Sequence, residues 1–262
     1  MAPRDAWFGP AAYEAYVGRW SRLVGLELLA WLGVPPGASW VELGCGTGAL
    51  SRTILAAAAP RSLDGFDRSA PFVRQARAAG GERCRFHVGD AGALAIRSGV
   101  FDAAISGLVL NFLPDPAAAA REMRRVTRKG GAVAAYVWDY AGEMQLMRRF
   151  WDAAVELDPA ARELDEGPRF PLCSLVALQD LFAGAGLASV ETRAIDVPTL
   201  FHDFDDYWTP FLGGQGPAPA YAMSLDSARR DRLRDRLRAT LPIRPDGSIH
   251  LFARAFAVRG RS

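Results

Sequence analysis

The residues most able to do chemistry are concentrated in one run, Val41-Glu42-Leu43-Gly44-Cys45-Gly46-Thr47-Gly48-Ala49-Leu50. Glycines at alternate positions give a tight turn with no Cβ in the way. Val41 to Leu43 reads as the buried end of a strand. Leu50, Ile54 and Leu55 then fall on one face of a following helix. A strand, a glycine turn and a helix N-terminus together let a ligand lie against backbone N–H groups. Glu42, at the end of that strand, would point into the same place as an acceptor.

The spacing alone leaves the ligand open. A dinucleotide fingerprint is G-x-G-x-x-G/A with an acid about 20 residues on. Gly44, Gly46, Ala49 and Asp67 satisfy it, so NAD is admitted. Glu42 separates the candidates. A pyrophosphate is repelled by a neighbouring carboxylate, whereas a sulfonium ligand with an α-amino group is positive at two places and suits one. Asp67, at the end of the predicted second strand Ser62–Asp67, can accept both ribose hydroxyls of either ligand.

The form E/D-x-G-x-G-x-G resembles motif I of the class I S-adenosylmethionine (SAM) methyltransferases. Gly65-Phe66-Asp67-Arg68-Ser69 looks like their motif II, and Tyr16-Val17-Gly18-Arg19-Trp20-Ser21 is similar to the N-terminal segment of many small-molecule members. The likeness is closest to the branch related to the ubiquinone and menaquinone C-methyltransferases, and it is strongest over residues 13 to 140. It implies SAM as cofactor, with S-adenosylhomocysteine as product. It also implies the cofactor contacts. Tyr16 and Arg19 would cap SAM, with Arg19 paired to its carboxylate. Glu42, Gly44, Cys45 and Gly46 would form the loop, and Asp67 and Arg68 the ribose end. Asp90, followed by Ala91, would accept from the adenine amino group, and the backbone at Gly107 or Leu108 would line the sulfonium. Asn111 would face the acceptor. Many relatives carry His there, and Asn cannot serve as a general base.

The elements that must position these residues alternate. Strands are predicted at Ser62–Asp67, Cys84–Val88, Phe101–Ser106 and Ala132–Trp138, with helices between them. Ser69 and Asp115 act as N-caps, each close to a proline, and Gly130-Gly131 is read as a helix end. Helices are predicted over 7–33, 143–157 and 174–185. The first of these spans carries Tyr13, Tyr16 and Trp20 at helical spacing. A sixth strand follows at Ala188–Val197, and a seventh, antiparallel strand at Ile249–Val258 closes the sheet. The expected fold is α/β: a Rossmann-like three-layer αβα sandwich with a seven-stranded, mostly parallel sheet and an antiparallel last strand. Residues 1–262 read as a single domain, with an N-terminal helical cap over 1–33, a SAM-binding core over 34–140 and a substrate-covering insert over 198–247.

That insert is rich in aromatic residues, which suits a pocket for an apolar or aromatic small-molecule acceptor. Trp138, Tyr207 and Trp208 join Asn111 as substrate residues. In-line displacement at the methyl carbon needs mainly alignment and water exclusion. A base is required only if the acceptor must lose a proton; His202 is the first candidate, then Asp139 and Tyr140.

Bulk properties narrow the alternatives. The formal charge of the 262 residues is +2, with no basic footprint for nucleic acid. There is no apolar run of about 18 residues, hence no membrane partner is expected. Cys45, Cys84 and Cys173 have no metal-ligand spacing, and a reducing cytoplasm is the expected setting. No metal is expected, and a monomer or a homodimer is. The Arg-rich composition, with Lys129 the sole lysine, points to a bacterial, GC-rich source. A short-chain NAD oxidoreductase would need Tyr-x-x-x-Lys, and position 125 is Arg. A SAM-binding protein without transferase activity is the remaining alternative from another class.

Overall fold

The computed structural model describes residues 14–214 and 216–262; Tyr13 and the start of the predicted first helix lie outside them. The chain divides into two compact units. One comprises Ser21–Trp138, Leu172–Ile195 and Ala255–Ser262; the other comprises the described residues up to Trp20, Asp139–Pro171 and the described residues of Asp196–Arg254.

The first unit holds most of a seven-stranded sheet. Its strands are β1 (Ser39–Leu43), β2 (Ser62–Asp67), β3 (Cys84–Val88), β4 (Phe101–Gly107), β5 (Thr127–Trp138), β6 (Ala188–Phe201) and β7 (Ile249–Arg261), in the order β3-β2-β1-β4-β5-β7-β6. The pairs β1–β2, β1–β4, β2–β3 and β4–β5 are parallel, and β5–β7 is antiparallel. β7 is therefore an inner strand, inserted between β5 and β6 rather than closing an edge. β1, Ser-Trp-Val-Glu-Leu, is buried along its whole length because a central parallel strand is covered on both faces. The strand order reverses between β1 and β4. The crevice at the carboxyl ends of such a pair is where open α/β sheets take ligands.

Local chemistry sets the helices. α1 (Arg19–Leu32) follows a π-helical turn at Glu14–Gly18. α2 (Ala49–Ala57) begins at Gly48, which is left-handed at φ 82° and gives its first turn no side-chain cap. α3 (Ala70–Ala79) and α4 (Pro116–Val126) are capped by Ser69 and Asp115, each with a proline in the first turn, as their sequences predict. Gly130-Gly131 does not end a helix. α4 stops at Val126 and runs directly into β5, where the β4–β5 register shifts between Phe101 and Ala103. Gly130 takes φ 76° at this irregularity, and a Cβ on Gly131 would meet the Asp102 carbonyl at 2.8 Å. The glycine pair serves a strand bulge.

The second unit contains α5 (Gln145–Leu157), α6 (Glu166–Arg169), α8 (Phe204–Trp208), α9 (Pro217–Ser224) and α10 (Ser227–Thr240); α7 (Leu175–Gly184) belongs to the sheet unit. Its core is aromatic. Phe150 stacks on Phe211 at 4.4 Å, and Tyr16, Tyr207 and Trp208 surround Phe211. Arg-rich α10 buries only Leu233 and Leu237, as its charge pattern predicts. Among the described residues no helix is long and apolar enough to cross a membrane.

Candidate functional site

The glycine run lies at the carboxyl end of β1 and its three glycines do different things. All are left-handed, at φ 76°, 52° and 82° for Gly44, Gly46 and Gly48. A Cβ on Gly44 would collide with the Val109 isopropyl group, so Gly44 lets the segment after β4 approach the loop. A Cβ on Gly48 would rest on Ala76 and Phe86 at 3.5 and 3.6 Å, which fixes the packing of α2 beside β3 and α3. A Cβ on Gly46 would meet nothing within 4 Å, so backbone here faces open space. The loop is also anchored: Gly44 N and Cys45 N donate to the Phe66 carbonyl at 2.7 and 3.0 Å.

Asp67, at the end of β2, holds the loop from the other side. Its Oδ2 accepts from Gly46 N at 3.0 Å and its Oδ1 from Ser69 N at 2.8 Å. Each carboxylate oxygen keeps a further lone pair for a ligand hydroxyl. Arg68 beside it is exposed.

Glu42 is 2% exposed and accepts a hydrogen bond from the Ser51 hydroxyl of α2. Burial pushes its carboxyl up to about 8; the Ser51 bond and Arg52 act against this, and the Asp67 charge adds to it. At neutral pH the ligand-free carboxyl therefore holds its proton. An ammonium group placed beside it would reverse that balance, because an opposite charge favours the ionised form. Burial and the neighbouring acids push the Cys45 thiol well above its ordinary range, so it is no nucleophile.

The loop after β3 carries Asp90, which is exposed and accepts from Gly92 N at 2.8 Å, followed by buried Ala91. Arg125 of α4 fastens this loop through the Leu94 and Ile96 carbonyls while pairing with Glu122. After β4, a Cβ on Gly107 would press on Leu50 and Tyr136, and Leu108 takes φ 60°, unusual for a branched side chain. Leu108 N donates to the Tyr136 carbonyl at 2.8 Å, so the strained turn is held from β5. Both amide atoms of Asn111 are buried without a partner. Trp138, at the end of β5, is buried with an unpartnered indole N–H.

Glu42, Gly44, Cys45, Gly46, Asp67, Asp90, Gly107, Leu108 and Asn111 thus share the sheet unit, on the ends of β1 to β4. Arg68, Ala91 and Trp138 belong to the same unit, whereas Tyr16, Arg19, Asp139, Tyr140, His202, Tyr207 and Trp208 lie in the second. There Arg19 pairs with Asp206 at 3.0 Å and lies over the Trp20 and Phe201 rings at 4.4 and 4.9 Å. Tyr16 is buried with an unpartnered hydroxyl. Tyr207 is buried and donates to the Leu146 carbonyl at 3.0 Å, and Trp208 is buried beside Phe211. His202 is exposed, with only its backbone N–H tied to Asp206. Asp139 caps a turn with both oxygens, accepting from Gly142 N and Glu143 N at 2.9 Å each. Tyr140 is buried against Phe170. Neither carboxylate oxygen of Asp139 is left without work, a poor starting point for a general base.

A further buried acid, Glu166, stands outside every sequence motif. It is 2% exposed and accepts from the Trp151 indole at 2.5 Å. No motif surrounds it; only an acid among aromatic neighbours marked the place.

The family model described as a methyltransferase domain matches residues 41–135. Over that stretch the chain is similar to a methyltransferase domain. It is 29% identical over 188 residues to a 2-methyl-6-phytyl-1,4-hydroquinone methyltransferase of Synechocystis sp., covering 70% of this chain and 57% of that one. It is 33% identical over 150 residues to a malonyl-[acyl-carrier protein] O-methyltransferase of Pseudescherichia vulneris, covering 56% and 58%. The chain thus spans a little over half the length of the curated relatives it matches. Among solved structures, phosphoethanolamine N-methyltransferase 2 of Haemonchus contortus, in complex with S-adenosyl-L-methionine, superposes with a TM-score of 0.59 at 16% identity, over 96% of this chain and 56% of that one. That likeness shows the Rossmann-like fold, and the matched stretch 41–135 has the glycine loop at its start.

Proposed function

We propose that this protein transfers a methyl group from SAM to a small-molecule acceptor that is apolar or aromatic. The observation that carries the reading is the glycine loop itself. Gly46 presents open backbone between a buried acid, Glu42, and a ribose-ready acid, Asp67, at the uncapped start of α2. These residues fit SAM. Glu42 would accept from the α-amino group, Asp67 would take the ribose hydroxyls, Asp90 the adenine amino group, and the backbone at Gly107 and Leu108 the sulfonium end. When bound, SAM supplies an activated methyl group on a good leaving centre. The chain's task is then to orient the acceptor in line and to keep water away. The unpartnered amide of Asn111 suits a polar group on the acceptor, because a buried amide without partners is costly. A hydroquinone, named for the Synechocystis relative, is an acceptor of the aromatic kind. The three free cysteines suit a reducing cytoplasm.

The test is binding and turnover together. SAM and S-adenosylhomocysteine should each raise the melting temperature, and NAD should not. Stabilisation by NAD alone would overturn the reading. Stabilisation by SAM without methyl transfer to any of a panel of phenols, quinols and carboxylic acids would reduce it to cofactor binding.

A further inference from the structure

We propose that Asn111 selects a methyl acceptor whose polar handle is neutral and sets a donor beside an acceptor, as in a lactam or a hydroxyl next to a carbonyl. Both amide atoms of Asn111, Nδ2 and Oδ1, are buried without a hydrogen-bond partner. Buried polar side-chain atoms are nearly always paired, so a carboxamide with both ends idle needs a reason. Loose packing is not that reason. Asn111 is the middle residue of a 3₁₀ turn, Leu110–Phe112, which lies against α4 and β5. Phe112 N donates to the Val109 carbonyl at 2.9 Å and Leu113 N to the Leu110 carbonyl at 3.3 Å. Leu110 is buried, and Val109 fills the space that a Cβ on Gly44 would take. The backbone is thus fixed on both sides of Asn111, and the segment is seated on the glycine loop.

A carboxamide holds N–H donors and a carbonyl acceptor in one plane. Its full complement donates to Oδ1 and accepts from Nδ2 through two parallel bonds. A carboxylate can only accept and would leave Oδ1 unpaired. An ammonium can only donate and would leave Nδ2 unpaired. A lone ketone or ether falls short in the same way as a carboxylate. The handle is therefore neutral and two-sided, because each buried amide atom left unpaired carries a desolvation cost. The inference rests on the methyl-transfer reading in taking this ligand to be the methyl acceptor.

Two measurements test it. The first needs no ligand. Asn111→Leu is similar in size and removes the idle amide, so the melting temperature of the ligand-free full chain should hold or rise. A fall would mean that the amide already does work in the folded chain, and would overturn the proposal. The second uses the full chain saturated with S-adenosylhomocysteine and two probes, 2-quinolone and 1-methyl-2-quinolone, titrated by calorimetry. The probes share a ring system and a carbonyl and differ in the N–H donor. The first should bind at least about tenfold more tightly, because a site that hydrogen-bonds a ligand group rejects the analogue lacking it. Asn111→Leu should abolish that preference and leave S-adenosylhomocysteine affinity at the parent's value. Equal affinity for the two probes, or a preference that survives Asn111→Leu, would overturn the proposal. So would a loss of S-adenosylhomocysteine affinity in that variant, which would make Asn111 a cofactor contact instead. An Asn111-dependent preference in a chain that does not bind S-adenosylhomocysteine would sink the methyl-transfer reading and leave this site standing.

Discussion

The sheet unit and the aromatic unit place polar groups by opposite means. In the sheet unit, position comes from backbone. Glu42, Asp67 and Asp90 stand at or just after strand ends, and three left-handed glycines shape the space between them. In the aromatic unit, position comes from side-chain packing. Tyr16, Tyr140, Trp151 and Glu166 come from separated segments, with ring packing and the Trp151 indole hydrogen bond among the contacts that set them. Backbone-determined sites are compact in sequence and tolerate little change at glycine. Packing-determined sites are scattered and tolerate little loss of volume.

That contrast can be broken by substitution. Phe211→Ala, in the ring cluster, should cost about 3–5 kcal/mol of stability in denaturant unfolding, with S-adenosylhomocysteine affinity unchanged in the fraction that remains folded. A large drop in that affinity would mean that the two kinds of site are not independent. Gly44→Ala should cost about 3 kcal/mol or more, because it adds left-handed strain to a collision with Val109. Retained stability would show that the loop can shift. Glu42 gives a pH signature. Its folded carboxyl titrates near 8, against an ordinary 4.5, so the folded chain binds this proton more tightly than the unfolded chain. Its contribution is full below the ordinary value and is lost as pH rises through about 8, by about 5 kcal/mol at most. Glu42→Gln should flatten the fall in ligand-free stability between pH 5 and about 8; an unchanged slope would assign the fall elsewhere. Asp67→Ala should weaken SAM binding by about 1–3 kcal/mol, and unchanged affinity would refute its ribose role. His202→Ala should change SAM binding by less than about 0.5 kcal/mol, as an exposed substitution does; a loss of turnover alone would restore His202 as a base.

The same contrast explains what the sequence could reveal. The glycine loop, Asp67 and the capped helices are legible because each is a short run whose residue types follow from φ, capping or a strand end. The Gly130-Gly131 pair was misread because a glycine pair after a helix looks like a C-cap, while its real task is set by the distant Asp102 backbone. The inner position of β7 is equally hidden, since its pairing with β5 joins residues more than a hundred apart in the chain. His202 stands among aromatic residues in the sequence, yet its side chain is exposed. Glu166 was passed over because an isolated acid carries no pattern until Trp151 is folded onto it.

Asp67 accepts from two backbone N–H groups at once. Glycine has the widest conformational freedom of any residue, and a loop holding three of them would be expected to wander. Asp67 ties Gly46 on one side and Ser69 on the other before any ligand arrives. The entropy of ordering the loop is thus charged to folding and not to association, so that a ligand hydroxyl reaching Asp67 would meet a surface already in place.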